Sequence, residues 1–158
     1  MLFYAYTEIE GGEHESARDL LFSLIEKHLP ELRGASLFSD RNGSPYLACD
    51  GVRVEKIFVS LSHSHAMCAV ALSDTPVGVD IELVADRKSA GKIEQRFMDR
   101  LRMPCAIEEK EHPFFYRWTY FEACYKVTQG YDTPMPVRVH ETVKSKQGDS
   151  YVLCIVKE

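Results

Sequence analysis

Asp80 and Glu82, in Val77-Gly78-Val79-Asp80-Ile81-Glu82, are the residues of this chain best spaced for joint chemistry. Val77, Val79, Ile81 and Leu83 alternate with Gly78, Asp80 and Glu82, the period of a half-buried strand. Side chains two apart on a strand leave from one face, so the carboxylates project together, about 6–7 Å apart along the chain. Like charges on a partly desolvated surface raise each other's pKa unless a cation lies between them. Oxygen-only ligands of this kind suit magnesium, manganese or calcium better than zinc. The same spacing also describes an ordinary exposed acidic pair.

Two further segments can complete a site. A helix from about Phe114 to Thr128 sets Glu122 and Lys126 four residues apart on one face, with Phe115, Trp118, Ala123 and Tyr125 as its expected buried side. In a functional reading Glu122 is a third metal ligand and Lys126 a mobile point charge for a phosphate, which magnesium would bridge to the carboxylates. A helix-stabilising Glu–Lys pair has identical spacing. His63 stands in Ser60-Leu61-Ser62-His63-Ser64-His65, at the mouth of the apolar run Ala66 to Leu72, which reads as a strand buried on both faces. A hydrogen-bonded structural histidine fits that place as well as a ligand contact does. The flanking serines fit a strand end.

Taken together, Ser62-His63-Ser64, then Pro76 to Glu82, then Phe115-Tyr116-Arg117-Trp118-Thr119 with Glu122, Ala123 and Lys126 resemble the signature blocks of the 4'-phosphopantetheinyl transferases. The match is closer to the surfactin-synthetase-activating type than to the short holo-acyl-carrier-protein synthase type. Gly43-Ser44-Pro45-Tyr46-Leu47 is similar to that family's upstream Gly-Lys-Pro-x-Leu block. The resemblance spans residues 43 to 130, and more weakly the helix from Glu15 to Leu29.

The resemblance implies transfer of the phosphopantetheine arm of coenzyme A to a serine of an acyl or peptidyl carrier protein. It implies that Asp80, Glu82 and Glu122 hold magnesium, or manganese, on the coenzyme A pyrophosphate. Glu122 would also deprotonate the carrier serine, directly or through a water. His63 would contact a coenzyme A phosphate, and Lys126 would contact the pyrophosphate and protonate the departing 3',5'-ADP. Ser44, Pro45 and Arg18 complete the implied coenzyme A-binding set. The implied fold has two similar halves, residues 1–75 and 76–158, in a pseudo-twofold arrangement with coenzyme A in the cleft between them, working as a monomer.

This chain departs from the family pattern at several positions. The lysine usual before the helix glutamate is Phe121, and the lysine of the Gly-Lys-Pro block is Ser44. Basic residues for the nucleotide 3'-phosphate have no clear counterpart beyond Arg18 and, more distantly, Arg41. His65 replaces a small residue, and the glycine-rich segment after the helix is shortened to Gln129-Gly130-Tyr131. A lost charged contact to a phosphate costs about 1.5–3 kcal/mol, so two missing lysines would weaken coenzyme A binding by orders of magnitude. One alternative is therefore a degenerate member that binds coenzyme A or a carrier protein without catalysis. Another is a metal-dependent hydrolase using His63 and His65 with Asp80, although no further histidine cluster completes such a site.

The elements that position these residues read as an α+β fold, with helices packed on mainly antiparallel strands. Strands are expected at Leu2 to Ile9, Lys56 to Ser62, Ala66 to Leu72, Val77 to Val84, Val137 to Lys144 and Tyr151 to Val156, with a hairpin over Ser36 to Ala48 around Asn42-Gly43. Helices are expected at Ser16 to Leu29, stopped by Pro30, then at Gly91 to Leu101 and Ala106 to Glu111 ahead of the Phe114 helix. The 158 residues suit a single domain, and no internal repeat is visible.

A net charge of −5 gives no support for nucleic-acid binding. Carrier proteins are generally acidic, so docking one would need a local patch. Arg96, Arg100 and Arg102 around Phe97, Met98, Leu101 and Met103 have the spacing for that, and equally for an ordinary solvated face. Cys49, Cys68, Cys105, Cys124 and Cys154 are odd in number and lack a Cys-x-x-Cys pair, as expected of free thiols in a reducing cytoplasm, with Cys68 and Cys124 in the core. Met1 to Ile9 lacks the basic start and long apolar run of a secretory signal, and no run of about 18 apolar residues marks a membrane span. A cytoplasmic protein is expected.

Overall fold

Two apolar runs become the central strands of two stacked sheets, and the remaining elements arrange themselves around them. A computed structural model describes residues 1–97, 110–130 and 132–158. In chain order the elements are β1 (Leu2–Glu8), α1 (Glu13–His28), a 3-10 turn (Pro30–Leu32), β2 (Ser36–Ser39), β3 (Pro45–Cys49), β4 (Val52–Arg53), β5 (Phe58–Ser64), β6 (Met67–Ser73), β7 (Val77–Leu83), α2 (Ala90–Phe97), α3 (Pro113–Thr128), β8 (Val137–Lys144) and β9 (Ser150–Lys157). The fold is α+β, with three small antiparallel sheets ordered β1-β6-β5, β2-β3-β4 and β7-β9-β8.

The burial of β6 and β9 explains the layering. Cys68, Val70 and Leu72 of β6 pack with Leu21, Leu24 and Ile25 of α1, whereas Met67, Ala69 and Ala71 pack with Val79, Leu153 and Ile155. On β9, Cys154 and Val156 turn the other way and join Tyr120, Phe121 and Ala123 of α3. Helix, sheet, sheet, helix is thus the stacking order, and each central strand is apolar along its length because both of its faces are covered. The first and third sheets share one connectivity: an edge strand, a helix, then two antiparallel strands of which the last lies in the middle. Both of those helices, α1 and α3, are 16 residues long.

Most expected elements appear within a residue or two of their expected bounds. Helix α1 starts a turn's length earlier than expected, at Glu13, with Glu13 and Glu15 in the first turn where the helix dipole favours acids. Strand β4 was not foreseen; two residues carry no periodicity, and only pairing with Ala48 and Cys49 makes it a strand. Of the helix expected at Ala106 to Glu111, Lys110 and Glu111 lie in bends; the rest of it, Cys105, Tyr131 and the patch residues Met98, Arg100, Leu101, Arg102 and Met103 lie outside the described residues. Within α3, Trp118 and Tyr125 are half-buried rather than core, while Tyr116, Thr119, Tyr120, Phe121 and Cys124 join Phe115 and Ala123 in the interior. Cys49, Cys68, Cys124 and Cys154 are free thiols, and burial pushes the thiols of Cys68 and Cys124 up. Among the described residues no helix is long and apolar enough to cross a membrane.

The seat of α3 on β7 is set by Gly78. A Cβ at that position would collide with the carbonyl oxygen of Ala123 and stand 3.1 Å from a methyl of Val127, so only a glycine lets the helix backbone lie this close to the strand. The contact decides which turn of α3 faces Asp80 and Glu82. Gly78→Ala is expected to force the helix off the strand and to cost about 3 kcal/mol of stability, read as a lowered urea midpoint. A midpoint within a few tenths of the wild-type value would mean that the helix does not depend on this contact.

Candidate active site

Every second residue of β5 from Ser60 to Ser64 is a serine, and these hydroxyls bind the backbone of β7. Val79 N–H donates to Ser60 Oγ at 3.0 Å, Ile81 N–H to Ser62 Oγ at 3.3 Å and Leu83 N–H to Ser64 Oγ at 3.1 Å. A hydroxyl has one hydrogen as well as two lone pairs. Ser62 uses its hydrogen on Asp80 Oδ1 at 2.8 Å, and Ser64 uses its own on Glu82 Oε2 at 3.2 Å. Each of these two serines therefore ties a β7 amide and aims the carboxylate beside it. Sequence reasoning took the serines for a strand end. The signal that identifies them is the matched period: serines at 60, 62 and 64 against Gly78, Asp80 and Glu82.

Helix α3 supplies the rest of the site. Lys126 Nζ donates to Asp80 Oδ1 at 2.9 Å and to the Val79 carbonyl at 2.7 Å. Trp118 Nε1 donates to Glu82 Oε1 at 3.2 Å, and the Arg87 guanidinium lies 3.9 Å from the same oxygen. Glu122 lies half-buried on this face one turn before Lys126, and no described residue hydrogen-bonds its carboxylate. Burial, and then the charge of Asp80, raise Glu82 above the usual carboxylate range; the same two causes, with Glu82 added, raise Glu122. Trp118 and Arg87 were not foreseen as site residues: indole and guanidinium groups beside a carboxylate leave no periodic mark in a sequence.

Asp80 is only 5% exposed, and its Oδ2 is buried without a hydrogen-bond partner. Buried carboxylate oxygens are ordinarily satisfied, and an open lone pair beside two further acids is a natural place for a cation. Among the described residues no three His, Cys, Asp or Glu side chains converge into a ready-made metal cage. The donor set fits magnesium, which takes one or two protein carboxylates and fills its remaining positions with water and substrate phosphates.

Beside this cluster opens a pocket of about 440 Å³, whose walls include Gly43, Ser44, Pro45, Tyr46, Arg53 and Lys126. Asp40 Oδ1 fixes the turn into β3 by accepting from the backbone N–H groups of Asn42 and Ser44. Gln129, the C-cap of α3 with a φ of 54°, donates from Nε2 to Ser44 Oγ at 3.2 Å and ties helix to turn. A non-glycine residue held in this left-handed conformation at a pocket rim stores strain where precise placement is needed.

The structure thus brings together Asp80, Glu82, Glu122, Lys126, Ser44 and Pro45. His63 and Arg18 stand apart. His63 lies on the opposite side of β5 from the serines, with Nδ1 3.3 Å from Glu13 Oε2 and its ring edge-on to His14, and it does not line the pocket. Arg18 is exposed on α1, its guanidinium 5.6 Å from the ring centre of Phe22, and it too is absent from the pocket wall. Phe121 is 2% exposed and stacks on Trp118, so position 121 belongs to the core, where an unpaired lysine would be costly. His65 turns the chain between β5 and β6 with a φ of 50°. No family model matches the chain, and no curated protein matches it.

Two measurements follow from this geometry. Ser62→Ala leaves the Ile81 amide and Asp80 Oδ1 each short of a hydrogen bond, and is expected to cost about 1–3 kcal/mol in chemical unfolding; an unchanged midpoint would remove Ser62 from the joint. The second concerns pH. Because Glu82 and Glu122 bind protons more tightly folded than unfolded, stability falls as pH rises from the ordinary value of 4.5 through their raised values. Glu122→Gln is expected to flatten that fall in a series of melting temperatures across this window, and an unaltered slope would place Glu122 outside the coupled cluster.

Proposed function

We propose that this protein transfers the 4'-phosphopantetheine arm of coenzyme A to a serine hydroxyl of an acyl or peptidyl carrier protein. One observation carries the proposal: Lys126 lines the 440 Å³ pocket while its Nζ lies 2.9 Å from Asp80 Oδ1. A single side chain joins a ligand-sized cavity to the buried Asp80, whose charge also acts on Glu82 and Glu122. That is the combination a pyrophosphate-bearing substrate needs: room for its nucleotide and a place for metal-assisted displacement beside it.

In the reaction the serine oxygen forms a bond to the phosphorus that carries pantetheine, and the bond from that phosphorus to the bridging oxygen of the pyrophosphate breaks. The serine proton goes to a base, and 3',5'-ADP departs with the bond electrons. Glu122 is the base of this proposal, half-buried, with burial and then the charge of Asp80 raising its affinity for a proton above that of an ordinary carboxylate. Lys126 places positive charge where the leaving group gains negative charge. Ser62, Ser64 and Trp118 hold Asp80 and Glu82 in fixed rotamers, so that the acids are oriented before substrate arrives. Asp80 through Oδ2, with Glu82 and Glu122, would hold magnesium, which supplies charge neutralisation at the pyrophosphate.

The shared connectivity of the first and third sheets supports a pseudo-twofold reading of two similar halves, residues 1–75 and 76–158, forming one domain. The pocket draws Ser44 and Arg53 from the first and Lys126 from the second, which supports a cleft between them. A cytoplasmic monomer acting on an acidic carrier completes the proposal. A second reading, coenzyme A or carrier binding without turnover, is favoured by the engagement of Lys126, two of whose three ammonium hydrogens are committed to Asp80 and the Val79 carbonyl.

The test is to incubate the protein with coenzyme A, magnesium and a panel of apo-carrier proteins, then to weigh the carriers by intact mass spectrometry. A phosphopantetheine mass gain is expected, and it should vanish with chelator, with Asp80→Ala and with Glu122→Gln at unchanged circular dichroism. Full transfer by Glu122→Gln would refute the role of Glu122. Calorimetric binding of coenzyme A with no gain on any carrier would establish the second reading.

A further inference from the structure

We infer that Arg53 is the pocket's second phosphate contact, and that it makes the protein select coenzyme A over the analogue lacking the 3'-phosphate. The inference rests on the coenzyme A reading of the pocket and goes beyond it, by naming a residue that none of the sequence motifs contains.

Arg53 reaches the pocket because of β4. Pairing of Arg53 with Ala48 brings the chain back beside β3, and the register of β2 against β3 sets Phe38 opposite Tyr46. The rings of Phe38 and Tyr46 stack with centroids 5.8 Å apart and planes inclined by 26°. The Arg53 guanidinium carbon lies 4.5 Å from the centre of the Tyr46 ring. Phe38, Tyr46 and Arg53 thus form a stack across the small sheet. An arginine whose guanidinium lies over an aromatic ring can still offer N–H groups in the fork that matches two phosphate oxygens.

Among the described arginines, Arg18, Arg41, Arg53 and Arg138 have no carboxylate partner, and of these four it is Arg53 that lines the pocket. Arg33, Arg87 and Arg117 each face a glutamate, at 3.3, 3.9 and 3.1 Å. Arg53, among the described residues, forms no ion pair with a carboxylate, although Glu55 lines the same pocket. Coenzyme A carries negative charge at two separated points, the pyrophosphate and the ribose 3'-phosphate, and the pocket carries cations on two separate elements. Lys126 on α3 adjoins the carboxylates and takes the pyrophosphate end. Arg53 on β4 takes the other.

The experiment is a calorimetric titration of coenzyme A and of dephospho-coenzyme A into the wild-type protein, Arg53→Ala and Arg53→Lys. Wild type is expected to bind coenzyme A about tenfold or more tighter than dephospho-coenzyme A, the value of a charged contact to phosphate. Arg53→Ala should bind both ligands alike, with dephospho-coenzyme A at its wild-type affinity. Retained affinity for dephospho-coenzyme A also certifies that the variant is folded. Arg53→Lys should recover part of the preference, since a lysine keeps the charge without the stacked fork. A wild-type preference that survives Arg53→Ala, or a wild type that binds both ligands equally, would overturn the role of Arg53 while leaving the coenzyme A reading intact. Failure of the wild type to bind either ligand would overturn the coenzyme A reading, and with it this inference.

Discussion

A glycine with a carbonyl oxygen where its Cβ would be is the constraint on which this site depends. With Gly78 against Ala123, α3 lies on β7 at backbone distance, and the side chains of the following turns fall into place. Lys126 reaches Asp80, Trp118 reaches Glu82, and Glu122 joins both acids on one half-buried face. A helix held farther out by one methyl group would leave those contacts to longer, looser side-chain conformations. The apolar half of α3, with Tyr120, Phe121 and Cys124 in the interior, secures the helix from behind. Position here is set by packing, and chemistry is laid over it.

The serine joint between β5 and β7 meets two demands with the same atoms. Strand β7 is hydrogen-bonded to β9 on one side, and on the other its amides need acceptors. Hydroxyl groups supply them and still have a hydrogen each for the acids. Glu82 and Glu122, half-buried beside Asp80, are costly to hold charged, because burial and then the charge of Asp80 raise both. Ser62 and Ser64 offset part of that cost by donating to Asp80 and Glu82. The doubly covered strands β6 and β9 contribute the apolar burial that makes the remainder tolerable.

How far the sequence could be read depended on whether a feature is local. The alternation from Val77 to Leu83 gave both the strand and the common face of Asp80 and Glu82, because a strand's period is a local property. The helical spacing of Glu122 and Lys126 was legible for the same reason. Pairings between distant segments were not. That Ser62 should meet Asp80, that Arg53 should meet Tyr46, and that position 121 should point inward all follow from tertiary placement. The helix face itself was misjudged at Trp118 and Tyr125, since an aromatic residue beside a site looks in sequence like an aromatic residue in a core. The common connectivity of two sheets escaped notice because strand order leaves no trace in residue identity.

That strand order has a consequence for how the molecule is made. In each of the two stacked sheets the middle strand is the last of its three in the chain: β6 follows β1 and β5, and β9 follows β7 and β8. During synthesis, which proceeds from the N-terminus at about 5–20 residues per second, β7 is complete long before the strand it pairs with exists. Strand β5 with its serines, and β6 with which it pairs, both precede β7 in the chain. The hydroxyl ladder therefore offers the acid-bearing strand acceptors for one edge from a strand already synthesised, while the edge that faces β9 waits for the end of the chain.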